Sequence, residues 1–99
     1  MNRQDYLDLI NPAILMVAKK GEDYNNAVTL HEYFPYGDFS YQQMMHVKML
    51  RMRSLIEKGK AANFDSLSDS IYDLINYAVF YLDFLAKLAE DKDANRPED

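Results

Sequence analysis

Two cations and two carboxylates carry most of the chemistry open to this chain. Lys48 falls in the middle of an apolar helical face, and Arg51 follows at its border. Asp69 and Asp73 stand one helical turn apart in a later stretch, so both carboxylates can reach one cation, and Asn76 continues the same stripe. A lysine within a buried face needs an anionic partner, because an unpaired buried charge is costly. Three outcomes are open. Lys48 and Arg51 pair with Asp69 and Asp73 in a structural network; or the groups line a polar pocket for an anionic ligand, with a divalent cation on the two aspartates; or Lys48 snorkels to water along its stem.

The acids sit on the longest helical pattern in the chain, which starts near Asn63 and runs to about Ala89. Ser66 is its expected cap, with Asp69 at the third helical position. Leu67, Ile71, Leu74, Ala78, Leu82 and Leu85 share one face, and Asp69, Asp73, Asn76, Asp83 and Lys87 share the opposite one. Such a polar stripe ordinarily faces water. Here Phe80 lies within it, and Tyr72, Tyr77, Val79 and Phe84 flank it. A loop, a helix or a second subunit is therefore expected to cover part of it.

The cations sit on a helix predicted from Ser40, which with Gln43 makes a capping-box pattern, to about Lys58, with Gly59 as its stop. Tyr41, Met44, Met45, Met49, Met52, Leu55 and Ile56 form its apolar face, and the methionines suit core packing. A first helix is predicted from Gln4 to Lys20, kinked or broken at Pro12, with Lys19-Lys20-Gly21 as its stop. Between these two lies an irregular stretch, 22–39, with a short helix possible up to Tyr33 and the turn-rich run Phe34-Pro35-Tyr36-Gly37-Asp38-Phe39. It either packs over the helices or forms a lid or partner surface. The expected fold is all-α: a small bundle of three main helices with a long aromatic loop. Residues 1–89 make one domain, and 90–99 form a charged, flexible tail.

Composition narrows the function classes. The chain has 99 residues, 48% of them apolar, enough for one core. With 16 acidic and 11 basic residues its net charge is −5, which argues against a duplex-binding basic face. Acidity by itself is only a thin argument for mimicry of a nucleic acid. The absence of cysteine excludes a disulfide scaffold, a thiolate metal site and a cysteine nucleophile, and fits a cytoplasmic protein. The apolar run Ile71 to Leu88 is broken by Asp73, Asn76, Asp83 and Lys87, so no membrane span is expected. His31 and His46 lack metal-ligand spacing, and there is no phosphate-binding glycine loop or Ser-His-acid arrangement.

Three segments occur together in the order and spacing of a known family: Lys20-Gly21-Glu22-Asp23-Tyr24, Lys48-Met49-Leu50-Arg51, and the run from Asp65 that closes on Asp73-Leu74-Ile75-Asn76-Tyr77-Ala78. Over roughly residues 5 to 88 the chain resembles the nucleotide modification associated domain 1 family, frequent in bacteriophages. The resemblance implies a setting of DNA-base modification and deoxynucleotide metabolism, in the host cytoplasm for a phage-encoded member. It also implies a helical layout similar to the MazG and dimeric dUTPase-like pyrophosphohydrolases, which hold Mg²⁺ on paired acidic motifs so that it bridges substrate phosphates. Hard cations of this kind need carboxylate oxygens. The chain departs from that scheme: no Glu-x-x-Glu pair is present, and Val47 and Ser68 stand where acids are expected.

Two functions are open, the first implied by the resemblance and the second suggested by the aromatic residues. In the first, Lys20, Lys48 and Arg51 face phosphate, Asp69 and Asp73 hold Mg²⁺, Asp23 contributes from a folded-back loop, and Tyr24, Asn76 or Tyr77 contacts base or sugar. Hydrolysis is then weak or lost. In the second, the chain is a non-catalytic protein that binds a host or phage protein through its aromatic segment and the rings around Phe34 and Phe80. A homodimer suits both, since three helices leave much apolar surface.

Overall fold

The computed structural model describes residues 1–24, 29–59 and 64–94, with side chains for 1–18, 29–59 and 66–92. Three helices make up the fold: α1 (Arg3–Tyr24), α2 (Asp38–Lys58) and α3 (Phe64–Ala94). A 3-10 turn, Leu30–Tyr33, precedes α2, and no strand occurs among the described residues. This is the expected all-α bundle of three main helices.

Local chemistry explains the boundaries. At the start of α1 the Asn2 side chain accepts from the Asp5 N–H at 2.8 Å, and the Asp5 carboxylate accepts from the Asn2 N–H at 3.2 Å. The two residues satisfy each other's amide groups. Pro12 lies inside α1, which continues through it and passes the expected stop at Gly21 to reach Tyr24. A proline removes one backbone donor, and the rest of the ladder holds α1 together.

α2 begins earlier than the Ser40 pattern suggests. Its cap is Gly37, at φ 59 and ψ −127. The Ser40 hydroxyl instead accepts the Tyr36 N–H at 2.9 Å. A Cβ on Gly37 would lie 3.2 Å from Phe84 Cζ, so both the positive φ and the close ring call for glycine. Gly59 ends α2 in the left-handed conformation, donating its N–H to the Ile56 carbonyl at 3.1 Å.

α3 also begins before its expected cap. Ser66 lies inside it, and the Ser66 carbonyl accepts from the Ser70 hydroxyl at 3.0 Å. The helix extends past Ala89 to Ala94, and residues 95–99 of the expected tail lie outside the described residues.

The 31 residues of α3 give a rod about 46 Å long, against which α1 and α2 both pack. The face it turns inward is one ring-bearing flank of the polar stripe, while Asp69, Asp83 and Lys87 of that stripe stay exposed. Ser70 and Asn76 are buried, and Asp73, Tyr77, Phe80 and Phe84 are partly covered. The apolar stripe is only partly covered: Leu67, Leu74 and Ala78 are half-buried, and Ile71, Leu82 and Leu85 are exposed. On α2, Tyr41 is fully buried and Met45, Lys48, Met52 and Leu55 are half-buried, whereas Met49 and Ile56 are exposed. The radius of gyration is 16.7 Å, against about 13 Å for a compact chain of this size. No described helix is long and apolar enough to cross a membrane.

Candidate functional site

Two polar clusters lie along the covered face of α3. The first is the seam that pairs Lys48 of α2 with Asp73 of α3. Lys48 Nζ stands 3.0 Å from Asp73 Oδ2, and about a fifth of each side chain remains exposed, 21% and 19%. Lys48 thus finds its anion in the middle of an apolar face, as its position requires. Of the four-group network drawn from the sequence, this is the pair that forms. Arg51 and Asp69 are exposed, one turn away along their own helices.

Asn76 follows Asp73 on the same face and is buried. Its Nδ2 donates to the Ala13 carbonyl at 3.1 Å and docks α3 on α1 where a small, fully buried alanine permits close approach. Its Oδ1 meets no donor among the described residues. Tyr77 sits edge-on to Phe34 and Phe80, with ring centroids 6.1 and 6.2 Å away. Lys20, Asp23 and Tyr24 lie on the last turns of α1, and their side chains are outside the described residues. Among the described residues no three His, Asp or Glu side chains gather, so these residues alone do not form a Mg²⁺ cage.

The second cluster was not read from the sequence. His31, in the 3-10 turn, bridges the two long helices. Its Nε2–H donates to Asp83 Oδ2 at 2.8 Å, and its Nδ1 accepts from the Tyr41 hydroxyl. The neutral ring protonated on Nε2 satisfies both partners. Lys87 Nζ lies 2.9 Å from the same Asp83 oxygen. Lys87, and then His31, hold the Asp83 carboxyl below its usual range. Tyr41 stacks on Phe34 at 4.4 Å and on Tyr81 at 5.3 Å, and Tyr81 donates its hydroxyl to Asp38 at 2.7 Å. Burial, then the Asp83 charge, push the Tyr41 hydroxyl up; the bond to Asp38 and then burial do the same for Tyr81.

This cluster decides the role of the aromatic segment. It is strapped across α2 and α3, with Phe34 buried and Phe80 half-buried, so neither ring is the exposed partner surface expected of it. The most exposed rings are Tyr36 and Phe39, each more than three-quarters open, and Tyr33 is about half open. With Tyr41 fully buried, the Asp83–His31–Tyr41 chain ties the strap to both α2 and α3. The available signal was the ring-bearing stripe Tyr77, Phe80, Tyr81 and Phe84, which offers aromatic partners to the ring-rich 33–41 segment.

No curated protein and no solved structure matches this chain. A family model described as nucleotide modification associated domain 1 matches residues 20–82, which take in the end of α1, the strap, all of α2 and the inward face of α3 through Asp73 and Asn76. With more than half its length matched, the chain belongs to the nucleotide modification associated domain 1 family.

Proposed function

We propose that this protein binds a nucleotide, or another phosphate-bearing small molecule, at the Lys48–Asp73 seam. The observation that carries the reading is an ion pair with about a fifth of each side chain open to solvent, on the inward side of α3 and inside the family-matched region. An ammonium with water still in reach can exchange a carboxylate for a phosphate at small desolvation cost. Arg51, one turn on, adds a second cation, and Lys20 of α1 belongs to the same proposal. Asn76 Oδ1 is a buried acceptor suited to a sugar hydroxyl or a base N–H. Mg²⁺ enters only as the counterion of the bound phosphates, beside Asp69 and Asp73. Pyrophosphate hydrolysis is proposed as weak or lost, because Val47 and Ser68 replace expected acids.

Calorimetric titration with deoxynucleoside mono- and triphosphates, with and without Mg²⁺, tests the proposal. Saturable binding, weakened at least tenfold by Lys48→Ala, is expected. No binding by any nucleotide, together with no pyrophosphate release, refutes it.

A second reading rests on a separate observation. Leu9, Ile14 and Leu15 of α1 and Val79 and Leu82 of α3 are each more than half exposed, in a molecule more extended than its length requires. We propose a homodimer as the occupant of this surface, with a host or phage protein as the alternative occupant. Sedimentation at micromolar concentration should give twice the chain mass, and a monomer would overturn the dimer.

A further inference from the structure

The strap does more than cover the core. Beneath its turn lies a hollow of about 560 Å³, within the range of about 300–1,000 Å³ typical of small-molecule sites. Phe34 lines it, held by its stacking on Tyr41, and the exposed rings of Tyr36 and Phe39 stand at its rim. Ser40 and Gln43 are its polar members, and no side chain that lines it is charged. A smaller hollow of about 290 Å³ adjoins it, sharing Phe39 and Gln43 and adding Gln42 and His46.

We propose that this pair of hollows is a site for a nucleobase, presented by a free nucleoside. The absence of charge in the larger hollow selects an uncharged ligand, and its rings select a planar one, since offset stacking is the favoured contact between aromatic faces. Gln43 narrows the choice. Its amide presents a donor and an acceptor side by side, the complement of a base edge, and an aromatic side chain of a protein would leave both unused. The adjoining hollow is polar and suits a sugar. The site is prebuilt: Gly37 is set against Phe84, the Tyr36 N–H is bonded to Ser40, and His31 ties the strap to α3.

Helical periodicity sets this site apart from the seam. Tyr41, Met45, Lys48 and Met52 face α3, and Phe39, Gln43 and His46 fall on the opposite flank of α2. Its larger hollow is lined by no lysine or arginine, so it binds the base without help from phosphate.

NMR titration with the four deoxynucleosides tests the proposal, with a single-stranded oligonucleotide as a second probe. Saturable binding is expected, with shifts centred on Phe39 and Gln43. Phe39→Ala and Gln43→Leu should each weaken it at least tenfold, and Lys48→Ala should leave it unchanged. Both altered residues are exposed, and a melting temperature near wild type confirms that the variants fold. An oligonucleotide that binds tenfold tighter than the nucleoside, with the same Phe39 and Gln43 dependence, supports the base site and identifies an unpaired strand as its source. No saturable binding by nucleoside or strand overturns the proposal. So does unchanged binding by Gln43→Leu, which would mark an apolar patch, or loss of self-association in Phe39→Ala without loss of nucleoside binding, which would make a second copy the occupant.

Discussion

Removing one member of the Lys48–Asp73 pair and removing both should have opposite consequences. At 3.0 Å the gross attraction is about 5–6 kcal/mol for an effective dielectric near 20. Desolvation offsets most of that, and each side chain keeps about a fifth of its surface in water. The pair therefore falls between exposed bridges, at about 0.2–1 kcal/mol, and fully buried ones, where loss of one partner costs about 3–5 kcal/mol. Lys48→Met should cost about 1–2 kcal/mol, because it removes the ammonium 3.0 Å from the half-buried Asp73 carboxylate. The double variant Lys48→Met with Asp73→Leu should return to within about 1 kcal/mol of wild type, since two apolar side chains replace two desolvated charges. With a similar loss for Asp73→Leu, the coupling from the four-protein cycle is then about 1–3 kcal/mol. Urea unfolding followed by circular dichroism measures it. A coupling below about 0.5 kcal/mol, or a double variant as unstable as the two single losses combined, would refute a seam stabilised by charge pairing. The same double variant separates stability from function: it should fold and yet lose the phosphate-dependent binding proposed above.

Three further outcomes follow from the packing. Gly37→Ala should destabilise by about 1–3 kcal/mol in thermal or urea unfolding, because an L-residue at φ 59 and ψ −127 is strained and its Cβ meets Phe84 at 3.2 Å. Asn76→Leu should cost about 1–3 kcal/mol by removing the bond to the Ala13 carbonyl, and faster amide hydrogen exchange in α1 than in α2 would show that the α1 docking had failed. Stability should fall at both ends of the pH range. Asp83 binds its proton less tightly folded than unfolded, so its contribution is present above about pH 4 and is lost as pH falls through the lowered folded value; Asp83→Asn should flatten that acid limb. Tyr41 and Tyr81 hold their protons more tightly when folded, so their contribution is present below about pH 10 and is lost as pH rises through the raised folded values; Tyr81→Phe should shrink that alkaline limb.

The three helices were legible because each carries an apolar repeat long enough to survive a misplaced end. The ends themselves were less legible. Ser40 and Ser66 both have the right type for a cap, but a serine inside a first turn looks the same in sequence as a cap before it. What decided α2 was Phe84, distant in sequence, against which only Gly37 fits. Lys48 and Asp73 were legible as partners for a reason of energy: a charge inside an apolar face needs an opposite charge, and few candidates existed.

The sequence by itself determined an all-helical chain, a family, and a lysine in an apolar face that called for an anion. The tertiary structure decided which face of α3 turns inward. Periodicity marks two faces without saying which is covered, and here the flank that carries Tyr77, Tyr81 and Phe84 turns inward because its rings complete the cluster around Tyr41 and Phe34. It also decided that Asp83, His31 and Tyr41 form a clamp. Residues so far apart in the chain come together only because α2 and α3 lie side by side, and no local pattern records that alignment.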